Sequence, residues 1–155
     1  MADIIRIDAC DGGIKERFAD QGDGTFARVE SATLRTSVGA GGVALAARLL
    51  SAAANTNPTL VKASAGRVYK IQGYNAAAAV RYLKLYNKAT APSVGTDTPV
   101  ITLALQPSAA FALDFANIGF YFATGIGFGL TVASADNDTT ALTAGDIVGM
   151  NVFYA

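Results

Sequence analysis

The sequence contains no histidine and no tryptophan, one cysteine (Cys10), and only 15% charged residues across 155 positions. Each shortage closes a class of function. Without histidine, the commonest general base and the commonest metal ligand are both missing, so no Ser-His-Asp or Cys-His site can be assembled. A single cysteine makes neither an intramolecular disulfide framework nor a cysteine-based zinc site. Lysine-dependent chemistry needs a buried lysine, and strand alternation or loop character puts every lysine here at the surface. The residues point away from an enzyme, and no cofactor is expected. Long apolar runs are scarce as well. The opening Met1-Ala2-Asp3-Ile4-Ile5-Arg6-Ile7-Asp8 has charges where a signal peptide needs apolar residues. The most apolar stretch, residues 39–54, is shorter than a bilayer span and carries Arg48 in its middle. No membrane partner is expected, and synthesis in a cytoplasm is.

What the chain has instead is apolar surface. Hydrophobic residues make up 52% of it, more than one ordinary domain of this length needs, so part of that surface is expected to be shared with protein partners. The 12 basic and 12 acidic side chains cancel, which argues against nucleic acid as a partner. Their placement is uneven. Residues 59–91 hold Lys62, Arg67, Lys70, Arg81, Lys84 and Lys88 with no acid, whereas residues 92–155 hold Asp97, Asp114, Asp136, Asp138 and Asp146 with no base. Solvated strand faces explain this, and so do complementary patches that orient neighbouring subunits.

Two regions meet near Asn55-Thr56-Asn57-Pro58. Residues 1–57 read as an N-terminal arm and a Gly/Ala-rich connector, and residues 58–155 as a β-sandwich domain. The arm has few large apolar groups and cannot build a core of its own. Within it Ile4, Ile5 and Ile7 suit one short strand and residues 25–30 another, with turns at Asp11-Gly12-Gly13 and Gly22-Asp23-Gly24. The connector, 39–54, suits a short helix after Gly42 or a loop.

From Thr59 onward the pattern is β. Strands are expected at 60–63, 67–74, 80–87, 100–105, 109–115, 118–122, 126–133 and 146–154, separated by turn residues. Leu83 and Leu85 alternate with Tyr82, Lys84 and Tyr86, while Ile101, Leu103 and Leu105, then Phe111, Leu113 and Phe115, share one face. About eight short strands at this spacing mark an all-β, jelly-roll-like β-sandwich with an extended N-terminal arm. A transmembrane barrel fits less well, because it needs strands of about ten residues with aromatic girdles.

Three constellations resemble chemistry. Asp136-Asn137-Asp138 has the spacing that opens a calcium loop but lacks its glycine and distal glutamate, so a capped turn is the better reading. Gly125-Ile126-Gly127-Phe128-Gly129 matches a phosphate loop only in spacing. Its glycines alternate with apolar residues, as in a strand pressed against other backbone. Tyr69, Tyr74, Tyr82 and Tyr86, interleaved with Arg67, Lys70, Arg81 and Lys84, suit a stacking platform for glycan or single-stranded nucleic acid, or a protein interface; zero net charge favours protein.

Two stretches carry a resemblance. Residues 15–29, Lys-Glu-Arg-Phe-Ala-Asp-Gln-Gly-Asp-Gly-Thr-Phe-Ala-Arg-Val, resemble the opening of small virion proteins of tailed bacteriophages. Residues 60–69 and 79–89, continued by 92–99 and 136–140, resemble the β domain of phage structural proteins. The resemblance covers nearly the whole chain through structural motifs alone. It implies a capsid cement (decoration) protein on the virion head surface, made in the bacterial host cytoplasm, with the major capsid protein and neighbouring copies of itself as partners. The alternative it leaves open is a tail or fibre module that contacts host glycan. Interface residues expected on this basis are Phe18, Phe26 and Arg28 in the arm, and Arg67, Tyr69, Arg81, Tyr82, Lys84 and Tyr86 in the β domain.

Overall fold

The structure is a computed structural model that describes the strand backbone at residues 6–8, 15–20 and 26–28, and residues 45–116 and 118–155 in full. Cys10 and the connector before Leu45 lie outside the described residues. The chain divides into two units, Met1–Arg35 and Thr36–Ala155.

In the first unit, β1 (Arg6–Asp8), β2 (Lys15–Asp20) and β3 (Phe26–Arg28) pair in chain order as an antiparallel meander. Arg6 lies opposite Arg17, and Phe18 opposite Arg28. The strands expected around Ile7 and within 25–30 are present. β2 was not foreseen, because its Lys-Glu-Arg-Phe-Ala-Asp sequence has no apolar alternation to mark it.

Among its described residues the second unit is all β: nine strands in two antiparallel sheets, packed as a sandwich. They are β4 (Leu45–Ser51), β5 (Thr59–Lys62), β6 (Gly66–Asn75), β7 (Arg81–Asn87), β8 (Ile101–Leu105), β9 (Ala109–Asp114), β10 (Phe120–Phe122), β11 (Ile126–Thr131) and β12 (Ile147–Tyr154). One sheet runs β10-β6-β12-β4, with β9 beside β10 on the same flank of β6; the other runs β5-β11-β7-β8. Counting β9 and β10 as one interrupted strand leaves eight. The first then pairs with the last, the second with the seventh, the third with the sixth and the fourth with the fifth. Those nested antiparallel pairs are one long hairpin wound into two sheets, the jelly-roll arrangement.

Two expectations are corrected. Residues 45–51 are neither helix nor loop but strand β4, which hydrogen-bonds to β12 from Val148–Ser51 to Tyr154–Leu45. The sandwich therefore begins before residue 58. Ala47 and Leu49 of β4 pack on the core, and burying them there outweighs a helical propensity that no neighbouring helix would reward. The Asn55–Pro58 stretch is a crossing between sheets rather than a boundary. Asn57, at φ 48°, accepts from the Ala53 amide through Oδ1 (2.8 Å) and donates through Nδ2 to the Ala53 and Asn55 carbonyls.

The core lies where the inner faces meet. Val68, Ile71, Met150 and Val152 come from one sheet, and Leu83, Leu85, Phe128 and Leu130 from the other. Asn75 ties the sheets at one end, donating through Nδ2 to the Leu105 carbonyl (2.9 Å) and accepting from the Ala77 amide. Near that end Arg81 Nε meets Asp146 Oδ2 at 2.7 Å, joining β7 to the segment that enters β12.

Candidate interaction faces

A sandwich offers a partner its two outer faces, and here the two differ. On the β5-β11-β7-β8 sheet, Tyr86 lies opposite Gly127 and Lys84 opposite Gly129. The glycines form a flat stripe, and the chain's own loop fills it. A Cβ at Gly125 would collide with the Lys88 carbonyl oxygen and with Ala89, one at Gly127 would press on Pro92, and one at Gly129 would overlap Val94. The strand reading of 125–129 holds, and the covering backbone is that of the β7–β8 connection.

A second loop, between β11 and β12, meets the first where Gly95 approaches Thr139. Lys84 Nζ donates to the Ala135 carbonyl beneath it. Lys84 is 0% and Tyr86 1% exposed, so the expectation that every lysine is exposed is corrected. Strand alternation located the face of Lys84 and Tyr86 correctly but could not reveal that loops from elsewhere lie on it.

Carboxylates hold both loops. Asp97 Oδ2 accepts from Lys88 Nζ and from the Ser93 amide, each at 2.6 Å. Those two hydrogen bonds, Lys88 first, keep its carboxyl below the ordinary 3.8. Asp138 accepts from the Ala133 and Thr140 amides and from Thr140 Oγ1. Burial pushes its carboxyl up, but the bonds from Thr140 and Ala133 and the Lys84 charge outweigh it and leave a net lowering. Both Asp138 oxygens are thus occupied as turn caps, and among the described residues no three His, Cys, Asp or Glu side chains gather as a metal site. Tyr86 is left with a buried hydroxyl that has no hydrogen-bond partner among the described residues. Desolvation, then the charges of Asp97 and Asp136, push its pKa up to about 12.

Among the described residues of the second unit, the outer face of the other sheet is open. Arg48, Leu50, Tyr74, Ala110, Ala112, Asp114 and Tyr121 are exposed, while Arg67, Lys70, Gln72, Asn151 and Phe153 are half-buried. Leu50 is 67% and Tyr121 55% exposed. Arg67 stands 5.1 Å from the Tyr121 ring and donates to the Ile118 carbonyl at 2.9 Å. It thereby braces the break between β9 and β10, where Ala116 and Gly119 take positive φ. Ile118, 72% exposed, stands on that brace.

The expected interface residues therefore scatter. Arg67 and Tyr69 belong to β6 and the open sheet. Arg81, Tyr82, Lys84 and Tyr86 belong to β7 in the covered sheet, so the tyrosine-arginine set does not form one platform. Arg81 is engaged by Asp146, and Lys84 and Tyr86 are buried, so these three are corrected from interface to internal support. Phe18 lies on β2, and Phe26 and Arg28 on β3; their side chains lie outside the described residues. Sequence reasoning missed Arg48, Leu50 and Tyr121, of which the first two sat in the stretch read as connector. Comparison with protein-family models, with curated proteins and with solved structures finds no match for this chain.

Proposed function

We propose that this chain is a bacteriophage virion structural protein, a cement protein that binds across neighbouring capsid subunits with the major capsid protein as its partner. The observation that carries the reading is the asymmetry of the sandwich. One sheet carries the chain's own loops over its glycine stripe, with Lys84 and Tyr86 buried beneath them, and the other presents a broad outer face of tyrosine, leucine, alanine, arginine and amide side chains. A flat face of mixed apolar and polar groups, with aromatic and arginine residues among them, has the chemistry of a protein interface. Repetition on a symmetric shell gives individually weak contacts high avidity. Lys84 and Tyr86 are buried and Arg81 is paired with Asp146, which removes three of the eight residues on which a host-glycan reading rested.

The test is to purify particles of the phage that encodes the chain, count its copies, and footprint it on and off the particle. Copies comparable in number to capsid subunits, with Tyr74 and Tyr121 protected on the particle, support cement. A few copies per particle, or protection confined to the loop-covered sheet, overturns it.

A further inference from the structure

We propose that the two loops over the β5-β11-β7-β8 sheet form an acid-released strap, latched by Asp97 and Asp138, that opens while the sandwich beneath stays folded. Over the glycine stripe the strap touches the sheet through Pro92 and Val94. The hydrophobic core lies on the opposite side of that sheet, and the second loop reaches it through Leu142, after the turn that Asp138 caps. What holds each loop in shape is polar, and a polar bond ties the second loop to the sheet. Asp97 folds the first loop onto Lys88 and Ser93, Asp138 folds the second onto Ala133 and Thr140, and Lys84 holds the Ala135 carbonyl from below.

The closed state also carries a cost. Tyr86 is buried under the strap with its hydroxyl unpartnered, and opening would give that hydroxyl water. An element closed by a few charge-assisted bonds over an unsatisfied group is poised between two arrangements. The charged and titratable groups that face the latches are few among the described residues. Lys88 and Tyr86 lie at Asp97, Lys84 lies at Asp138, and Asp136 of the same loop acts on Tyr86; the facing part of β11 contributes glycine backbone. Both latch carboxyls sit below their ordinary value, so their contribution is complete above about 3.8 and is lost as pH falls through the folded-state values. Acid therefore opens the strap, and removal of the two charges opens it at neutral pH.

Hydrogen exchange resolved by residue tests this on the full chain. In Asp97→Asn/Asp138→Asn at pH 7, amides in 92–98 and 133–140 should exchange faster by about tenfold or more, the loss of charge-assisted bonds, while β6 and β12 amides are unchanged. The unmodified chain at strongly acid pH, corrected for intrinsic rates, should show the same local pattern. Tyr86→Phe, which removes the unpartnered hydroxyl, should slow exchange in both loops. Loops that keep wild-type protection in the double variant overturn the proposal. So does loss of protection in the loops and all strands together, because the carboxylates would then hold the fold and no separate strap exists. Faster loop exchange in Tyr86→Phe overturns it as well.

Discussion

Leu85 is wholly buried between the sheets, and its replacement by alanine should cost about 2–5 kcal/mol, read from the urea midpoint. Lys84, its neighbour on the other side of the strand, is equally buried, and Lys84→Ala should cost about 1–3 kcal/mol by stripping the Ala135 carbonyl of its donor. A loss under about 0.5 kcal/mol, as for a surface residue, would show that the loops do not cover it. Tyr86 adds a signature at high pH. Its folded pKa of about 12 lies above the ordinary 10.0, so the folded state holds its proton longer than the unfolded one. Stability from this residue is whole below pH 10 and falls as pH rises toward 12, by roughly 2–3 kcal/mol in total. Tyr86→Phe should flatten the denaturation midpoint across that interval, and an unchanged decline would assign the effect elsewhere. These two residues also mark a limit of pattern reading. Alternation along β7 separates Leu83 and Leu85 from Lys84 and Tyr86, but it carries no information on a loop that arrives from some fifty residues away, as Ala135 does at Lys84.

The eight strands after residue 58 were legible because each is short, rich in β-branched or aromatic residues, and bounded by turn chemistry. β11 was legible even with three glycines at or beside it, because Ile126, Phe128 and Leu130 keep the period of two. β4 was not legible. Leu-Ala-Ala-Arg-Leu-Leu-Ser alternates poorly and favours a helix by local propensity, and only its pairing with β12 decides the matter. The element carries a direct test. A chain cut to begin at Thr36 keeps β4 and should unfold cooperatively with the sandwich midpoint of the full protein. A chain cut to begin at Asn55 loses the backbone pairing to β12 and the core contacts of Ala47, Leu49 and Ala52. It should be unfolded or self-associating in size-exclusion chromatography, because β12 would become a bare edge. Full stability of the shorter chain would remove β4 from the cooperative unit. Interface candidates were the least legible feature, since exposure depends on which sheet a strand joins. β6 and β7 are consecutive and similar in composition, yet they enter opposite sheets.

For the whole molecule, the uneven charge of the sequence is settled in part inside the chain. Of the six bases in 59–91, Arg81 pairs with Asp146 (2.7 Å), Lys88 with Asp97 (2.6 Å), and Lys84 bonds to the loop that Asp138 caps. The segments read as solvated strand faces or as complementary patches between subunits instead fasten two loops and one end of a single sandwich. Arg48, Arg67 and Lys70 remain on the open sheet with Asp114 as their acidic neighbour, so that face is net positive among the described residues. Two charge reversals should therefore behave in opposite ways. Arg81→Glu/Lys84→Glu puts two acids where Asp146 and a buried carbonyl now find donors, and it should unfold the protein rather than alter its partners. Arg48→Glu/Lys70→Glu changes an exposed and a half-buried side chain, and should leave the circular dichroism spectrum and thermal midpoint nearly as they are. It should slow attachment to particles at low salt, with the difference shrinking as salt screens charges beyond about 8–10 Å. Attachment at the wild-type rate at every salt concentration would mean that the open face binds through its tyrosine and leucine side chains alone, or that the partner meets a different face.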